Sequence, residues 1–163
     1  MSEIIIPAAK AIITFLETFG DVGAFGVVAA ITNATGKENI DEYNGLYSTN
    51  KGLSLVMMLS LFSLAGIPPV AGFFGKFFLF TSAAKQGYYL LVFIALINAT
   101  VSLYYYLLVV KAMFINKNDV PIETIKNDGY TKLGLIICTI GIIAIGFAGI
   151  IFDYINSLTF GIK

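Results

Sequence analysis

Four long apolar runs organise the sequence, covering about 4–34, 53–84, 87–112 and 133–157. A helix that crosses a membrane needs about 20 mostly apolar residues. The pattern therefore predicts an all-α integral membrane protein with about four transmembrane helices. Two polar connectors part the runs. The first, 33–52, carries Lys37, Glu38, Asp41, Glu42 and Lys51. The second, 116–132, carries Pro121 with three acids and three lysines. Only a short turn near Lys85–Gly87 separates the second and third runs. No internal repeat or low-complexity linker divides the chain, so residues 1–163 read as a single membrane domain.

The first run is the weakest, because Lys10, Glu17 and Asp21 interrupt it. Its second half holds Gly23, Ala24, Gly26 and Ala30, small residues that let helices approach closely in a membrane. Met1-Ser2-Glu3 lacks the positive start of a secretory signal, and no cleavage site closes a short apolar run.

The second run has a break written into it. Ser54 to Thr81 is too long for a plain span, and Gly66, Pro68 and Pro69 sit near its middle. Each proline lacks an amide donor and its ring clashes with the preceding turn. Pro68 also pushes Ile67 away from helical geometry. The second helix is therefore predicted to be discontinuous. Broken backbone at membrane depth survives only where protein or water satisfies its freed polar groups.

Lys76 follows the break inside Phe73-Phe-Gly-Lys-Phe-Phe-Leu-Phe. A lysine at the centre of a span costs about 2.5–3.5 kcal/mol on insertion scales. Snorkelling is the alternative reading. It is hard to achieve about eight residues from either end of the half-helix, roughly 12 Å of rise. Gly72 and Gly75 lie beside Lys76 and leave room for a water or a partner side chain. A buried lysine changes protonation readily, whereas arginine stays charged. Lys76 is thus the candidate proton relay, and Gly66, Pro68, Pro69, Gly72 and Gly75 form its broken-helix setting.

In the third run Asn98, Ser102 and Tyr105 share one helical face at i, i+4 and i+7. They read either as an interhelical packing contact or as a polar, water-lined path. Tyr104, Tyr105 and Tyr106 near the helix end suit an interfacial aromatic belt, and Lys111 snorkels there. The fourth run offers a packing stripe, Gly134, Gly141 and Ala148. Cys138 reads as an inert buried thiol, and Asp153 lies at the water or headgroup end.

Composition supports lipid as the solvent. Hydrophobic residues make up 58% and charged residues 12%, against roughly 25% charged in ordinary soluble domains. Ten lysines without an arginine balance ten acids, so no basic surface points to nucleic acid. The absence of histidine excludes histidine triads, relays and metal ligands. One cysteine cannot close an internal disulfide. Lysine placement gives an orientation: Lys37, Lys51, Lys111, Lys117, Lys126 and Lys132 fall on one side, and Lys10, Lys85 and Lys163 on the other. The connectors 33–52 and 116–132 are then cytoplasmic.

Ser63-Leu-Ala-Gly-Ile-Pro-Pro-Val-Ala-Gly-Phe-Phe-Gly-Lys-Phe resembles the broken-helix motif of the antiporter-like, proton-pumping membrane subunits of bacterial NADH:quinone oxidoreductase. Gly23-Ala-Phe-Gly-Val-Val, Tyr43-Asn-Gly-Leu-Tyr and Ser102-Leu-Tyr-Tyr-Tyr-Leu agree in order and spacing. The resemblance implies a piece of a larger 14-span subunit, its last four spans, in the bacterial inner membrane. Lys76 then takes the place of the lysine in the outer half of a proton path. Met1 to Gly20 departs from the family pattern, with Glu17 and Asp21 unusual there. The resemblance further implies that NAD, flavin, iron–sulfur clusters and quinone belong to partner subunits and that this chain carries no cofactor. Its partners are then other membrane subunits and lipids. Two other readings stand beside it: a subunit of a multisubunit sodium/proton antiporter, and a truncated remnant that conducts nothing.

Overall fold

A computed structural model describes residues 2–68, 70–126 and 128–160, with side chains placed from 18 to 147 except at 71 and 74. Pro69 lies outside the described residues, as do the side chains of Lys10, Glu17, Ala148 and Asp153. The described elements are all helical: α1 (Ser2–Thr35), a 3₁₀ turn (Ile40–Tyr43), α2 (Leu46–Thr49), α3 (Lys51–Ala65), α4 (Ala71–Lys85), α5 (Tyr89–Phe114) and α6 (Gly129–Phe160). By length and composition, Tyr89–Phe114 and the Gly129–Phe147 part of α6 suit membrane crossing, and Lys51–Ala65 is a shorter apolar helix.

Helix α1 acts as a splint. It packs along both α3 and α4, and α6 does the same from another side. Small residues make this possible. A Cβ on Gly23 would fall 2.2 Å from Ser60 Oγ, and a Cβ on Gly20 would fall 3.4 Å from the Leu64 side chain. The order of these pairs makes α1 and α3 antiparallel. Against α6, Phe19 meets Gly141, Gly23 approaches Cys138 and Gly26 approaches Leu135, again antiparallel. Gly23 thus marks a crossing of three helices, where close backbone approach replaces side-chain interdigitation.

Among the described side chains, the main buried cluster lies toward the connectors. Val27, Ile31 and Leu46 are fully buried, and Tyr43, Leu53, Met57 and Met113 join them. The outward face of α5 contrasts with this: Tyr89, Leu90, Phe93 and Tyr104 are all largely exposed.

The two connectors fold into one polar cap, which places both at the same end of the bundle. Asn50 is buried and does most of the joining. Its Nδ2 donates to the Glu123 carbonyl at 3.0 Å and the Ile122 carbonyl at 3.4 Å, and its Oδ1 accepts the Ile125 amide at 2.8 Å. Asn116 donates to Asn44 at 2.9 Å, and the Gly45 amide donates to the Ala112 carbonyl at 3.1 Å. Tyr47 stacks on Phe114, centroids 4.6 Å apart. Within the first connector, the Glu42 carboxylate accepts the Glu38 and Asn39 amides at 2.9 and 2.8 Å. These amide bonds, that of Asn39 first, hold the Glu42 pKa below the usual carboxylate range. Burial pushes the neighbouring Tyr43 phenol up.

Replacing Asn50 strands three backbone groups at once. Asn50→Ala is expected to cost about 2–4 kcal/mol, since an unpaired buried polar group costs about 1–3 kcal/mol. Limited proteolysis of the purified protein checks this: cleavage within 116–126 rises in the variant, and an unchanged digestion pattern contradicts the clasp.

Candidate functional site

The break between α3 and α4 is built by glycine before proline acts. Gly66 ends α3 in the left-handed conformation, φ +76°. Its amide donates to the Ser63 carbonyl at 3.0 Å, and the Ile67 amide donates to the Phe62 carbonyl at 3.0 Å. This paired pattern is a Schellman ending, which satisfies two of the carbonyls left open at a helix C-terminus. Pro68 follows and cannot resume the helix. The prolines explain why α3 does not continue, but Gly66 sets where it stops.

Lys76 supplies the next partner. Its Nζ donates to the Leu64 carbonyl, one of the remaining open groups. Helical Cα–Cβ bonds tilt toward the helix N-terminus. A lysine in the second turn of α4 therefore points back to the break. The stem crosses Gly66, where a Cβ would fall 3.0 Å from Lys76 Cδ. An ammonium at a helix C-terminus is also favoured by the helix dipole, by about 0.3–1 kcal/mol at the surface and up to about 2 kcal/mol when partly buried. Lys76 is half-buried.

Ser63 holds the opposite side of the break. Its Oγ accepts the Gly72 amide at 3.2 Å, one of the open donors at the start of α4. This bond needs glycine at 72. A Cβ there would fall 1.9 Å from the Ser63 carbonyl oxygen and 2.8 Å from its carbon. The sequence reading leaves space at Gly72 for a water or a side chain; the structure fills that space with the backbone of Ser63. Gly75 is buried as well.

The structure therefore brings Gly66, Gly72 and Lys76 together, with Pro68 exposed beside them. It adds Ser63 and Leu64, which the sequence reading does not single out. The available signal is a run of hydroxyls in an apolar helix: Ser54, Ser60 and Ser63 are all fully buried. Ser54 Oγ and Ser60 Oγ have no hydrogen-bond partner among the described residues.

Asn98 and Tyr105 are exposed on α5 and Ser102 is half-buried, with no hydrogen bond joining them to the break among the described residues. Lys111 is exposed near the α5 end, and Cys138 is buried. A cleft of about 220 Å³ lies between Asn33, Ile125, Lys126 and Asp128 at the connector end, apart from the break. No group of three His, Cys, Asp or Glu side chains suited to a metal occurs among the described residues.

Chemically, the site is an amine inside an apolar helix pair, held by a neutral carbonyl. Among the described residues it has no nucleophile–base pair and no phosphate cradle. What it can do is carry a proton.

Comparison with known proteins gives the family. Residues 4–102 match the family model described as "NADH:quinone oxidoreductase/Mrp antiporter, TM". The chain is 53% identical over 151 residues to NADH-quinone oxidoreductase subunit N of Azobacteroides pseudotrichonymphae genomovar. CFP2, covering 91% of this chain and 32% of that protein. It is 49% identical over 137 residues to NADH-quinone oxidoreductase subunit N of Phocaeicola vulgatus, covering 83% and 29%. A chain of respiratory complex I from Thermus thermophilus, solved with bound aureothin, superposes with a TM-score of 0.69 at 27% identity, covering 83% of this chain and 32% of that one. The chain thus spans about a third of the length of these relatives.

Gly72→Ala tests the break. Overpacking typically costs about 1–3 kcal/mol, and here the obstacle is backbone rather than a movable side chain. The apparent thermal midpoint in detergent is expected to fall by several degrees, while Gly20→Ala, whose Cβ would sit at ordinary contact distance, changes it little. Equal midpoints for the two variants contradict the close approach.

Proposed function

Because the chain belongs to the NADH:quinone oxidoreductase/Mrp antiporter transmembrane family, we propose that it forms the lysine-bearing, proton-translocating part of a membrane subunit of NADH:quinone oxidoreductase. The observation that carries the reading is Lys76, an amine in an apolar half-helix, reaching back to the open end of its partner half-helix. The relatives named as subunit N favour this complex over a sodium/proton antiporter.

In this reading Lys76 cycles between ammonium and amine. The ammonium releases one proton to water on one side of the break. The amine then takes one from the other side. The Leu64 carbonyl helps hold the lysine in place. Electron transfer from NADH to quinone, with its flavin and iron–sulfur cofactors, belongs to other subunits of the complex. This chain contributes by moving charge.

Four crossings follow: α1, the broken pair α3 and α4, α5, and α6. The shared polar cap supports both connectors lying on one side, and the lysine excess favours the cytoplasm of a bacterial cell for that side. Neighbouring membrane subunits and lipids flank the exposed face of α5. Asn98, Ser102 and Tyr105 lie at that face and meet a protein neighbour or a polar path there.

Lys76→Ala in the complete complex, reconstituted in liposomes, is expected to lower proton pumping at least about tenfold, a modest share of what a positioned proton-transfer group contributes. Lys76→Arg is expected to pump as poorly, because arginine keeps its charge. Normal pumping by either variant at normal assembly would sink the reading. Growth in high sodium after deletion separates it from the antiporter: a sodium-sensitive strain with unchanged NADH oxidation favours the antiporter.

A further inference from the structure

Given Lys76 as the proton carrier, on which this rests, we propose that Ser63 is the positioning residue that sets the reach of Lys76. Its hydroxyl pins the first turn of α4 to the last turn of α3. Ser63 and Leu64 are consecutive on α3, and Gly72 and Lys76 are one helical turn apart on the same face of α4. The two contacts, Gly72 amide to Ser63 hydroxyl and Lys76 ammonium to Leu64 carbonyl, therefore share one register. A slide of α4 along α3 breaks both together. Ser63 is 1% exposed, so no water competes for its oxygen from the surface.

Ser54 and Ser60 sharpen the assignment. They are equally buried hydroxyls on the same helix, yet neither has a partner among the described residues. Ser63, at the break, is the one that receives an open α4 amide. The glycines make the pin tight. The lysine stem lies over Gly66, and the Ser63 backbone lies against Gly72, so little lateral freedom remains. Removing the hydroxyl leaves the Gly72 donor unpaired in an apolar setting, which favours a shift of α4 toward another acceptor. The ammonium shifts with it.

The test compares S63A, K76A, the double variant and S60A in the intact complex in liposomes. Assembly and the pH profile of pumping are measured. Amide hydrogen exchange at Gly72 is followed in the wild type and S63A. S63A is expected to lower pumping about fivefold, the effect of one lost hydrogen bond. It is also expected to move the pH at which pumping is half-maximal, and to add no loss to K76A. S60A keeps wild-type pumping and pH profile. A merely structural role lowers pumping equally at every pH, and that result overturns the proposal, as does a loss that adds to K76A. If K76A itself pumps normally, the proton-carrier reading fails while exchange still judges the pin. Slow exchange of the Gly72 amide in the wild type, about fivefold faster in S63A, supports it. Exchange equal in the two proteins overturns it. If S63A does not assemble, the wild type decides alone: a Gly72 amide as slow as the interior of α4 supports the pin, and free exchange overturns it.

Discussion

A helix cut open at membrane depth must find partners for its backbone, and that constraint governs the rest of this molecule. Lipid offers no hydrogen bonds, so each freed amide and carbonyl needs a partner supplied by protein or trapped water. Here the two half-helices satisfy each other. The Schellman ending closes the Phe62 and Ser63 carbonyls. Lys76 reaches the Leu64 carbonyl, and Ser63 receives the Gly72 amide. The charged group is thus part of the solution to a backbone problem. Its location is dictated by where the helix ends.

The scaffold around the break serves the same end. A discontinuous helix resists bending poorly, since its central hydrogen bonds are missing. Helix α1 runs past the gap and touches both halves, as α6 does. The close approach at Gly23 and Ser60 lies within one turn of Ser63. Burial is concentrated on the connector side, where Asn50 ties the two polar segments together. Beyond the break, Phe77, Phe78 and Leu79 are exposed on α4.

Much of this was legible in the chain, and the reasons are physical. Apolar length shows the long helices, because lipid demands it. Two adjacent prolines show that the second helix cannot continue. An isolated lysine among phenylalanines stands out because of its cost. Four features were not legible. The exact stop at Gly66 depends on a left-handed turn, and a glycine inside an apolar run looks the same whether it packs or turns. The role of Gly72 depends on a neighbour nine residues earlier. Ser63 is one of several serines in an apolar helix, and only the fold distinguishes it from Ser54 and Ser60. The connector clasp was equally hidden, since Asn50 and Ile125 are 75 residues apart. Local patterns show elements; a bond across the break or between connectors belongs to their assembly.

A carbonyl accepts a hydrogen bond from either form of the amine. In the proposed cycle the lysine keeps its place through this bond to Leu64. Gly66 and Pro68 leave that carbonyl open, where an unbroken helix would already have used it. The break and the lysine are therefore one device: the first exposes an acceptor, and the second occupies it with a group whose charge can change.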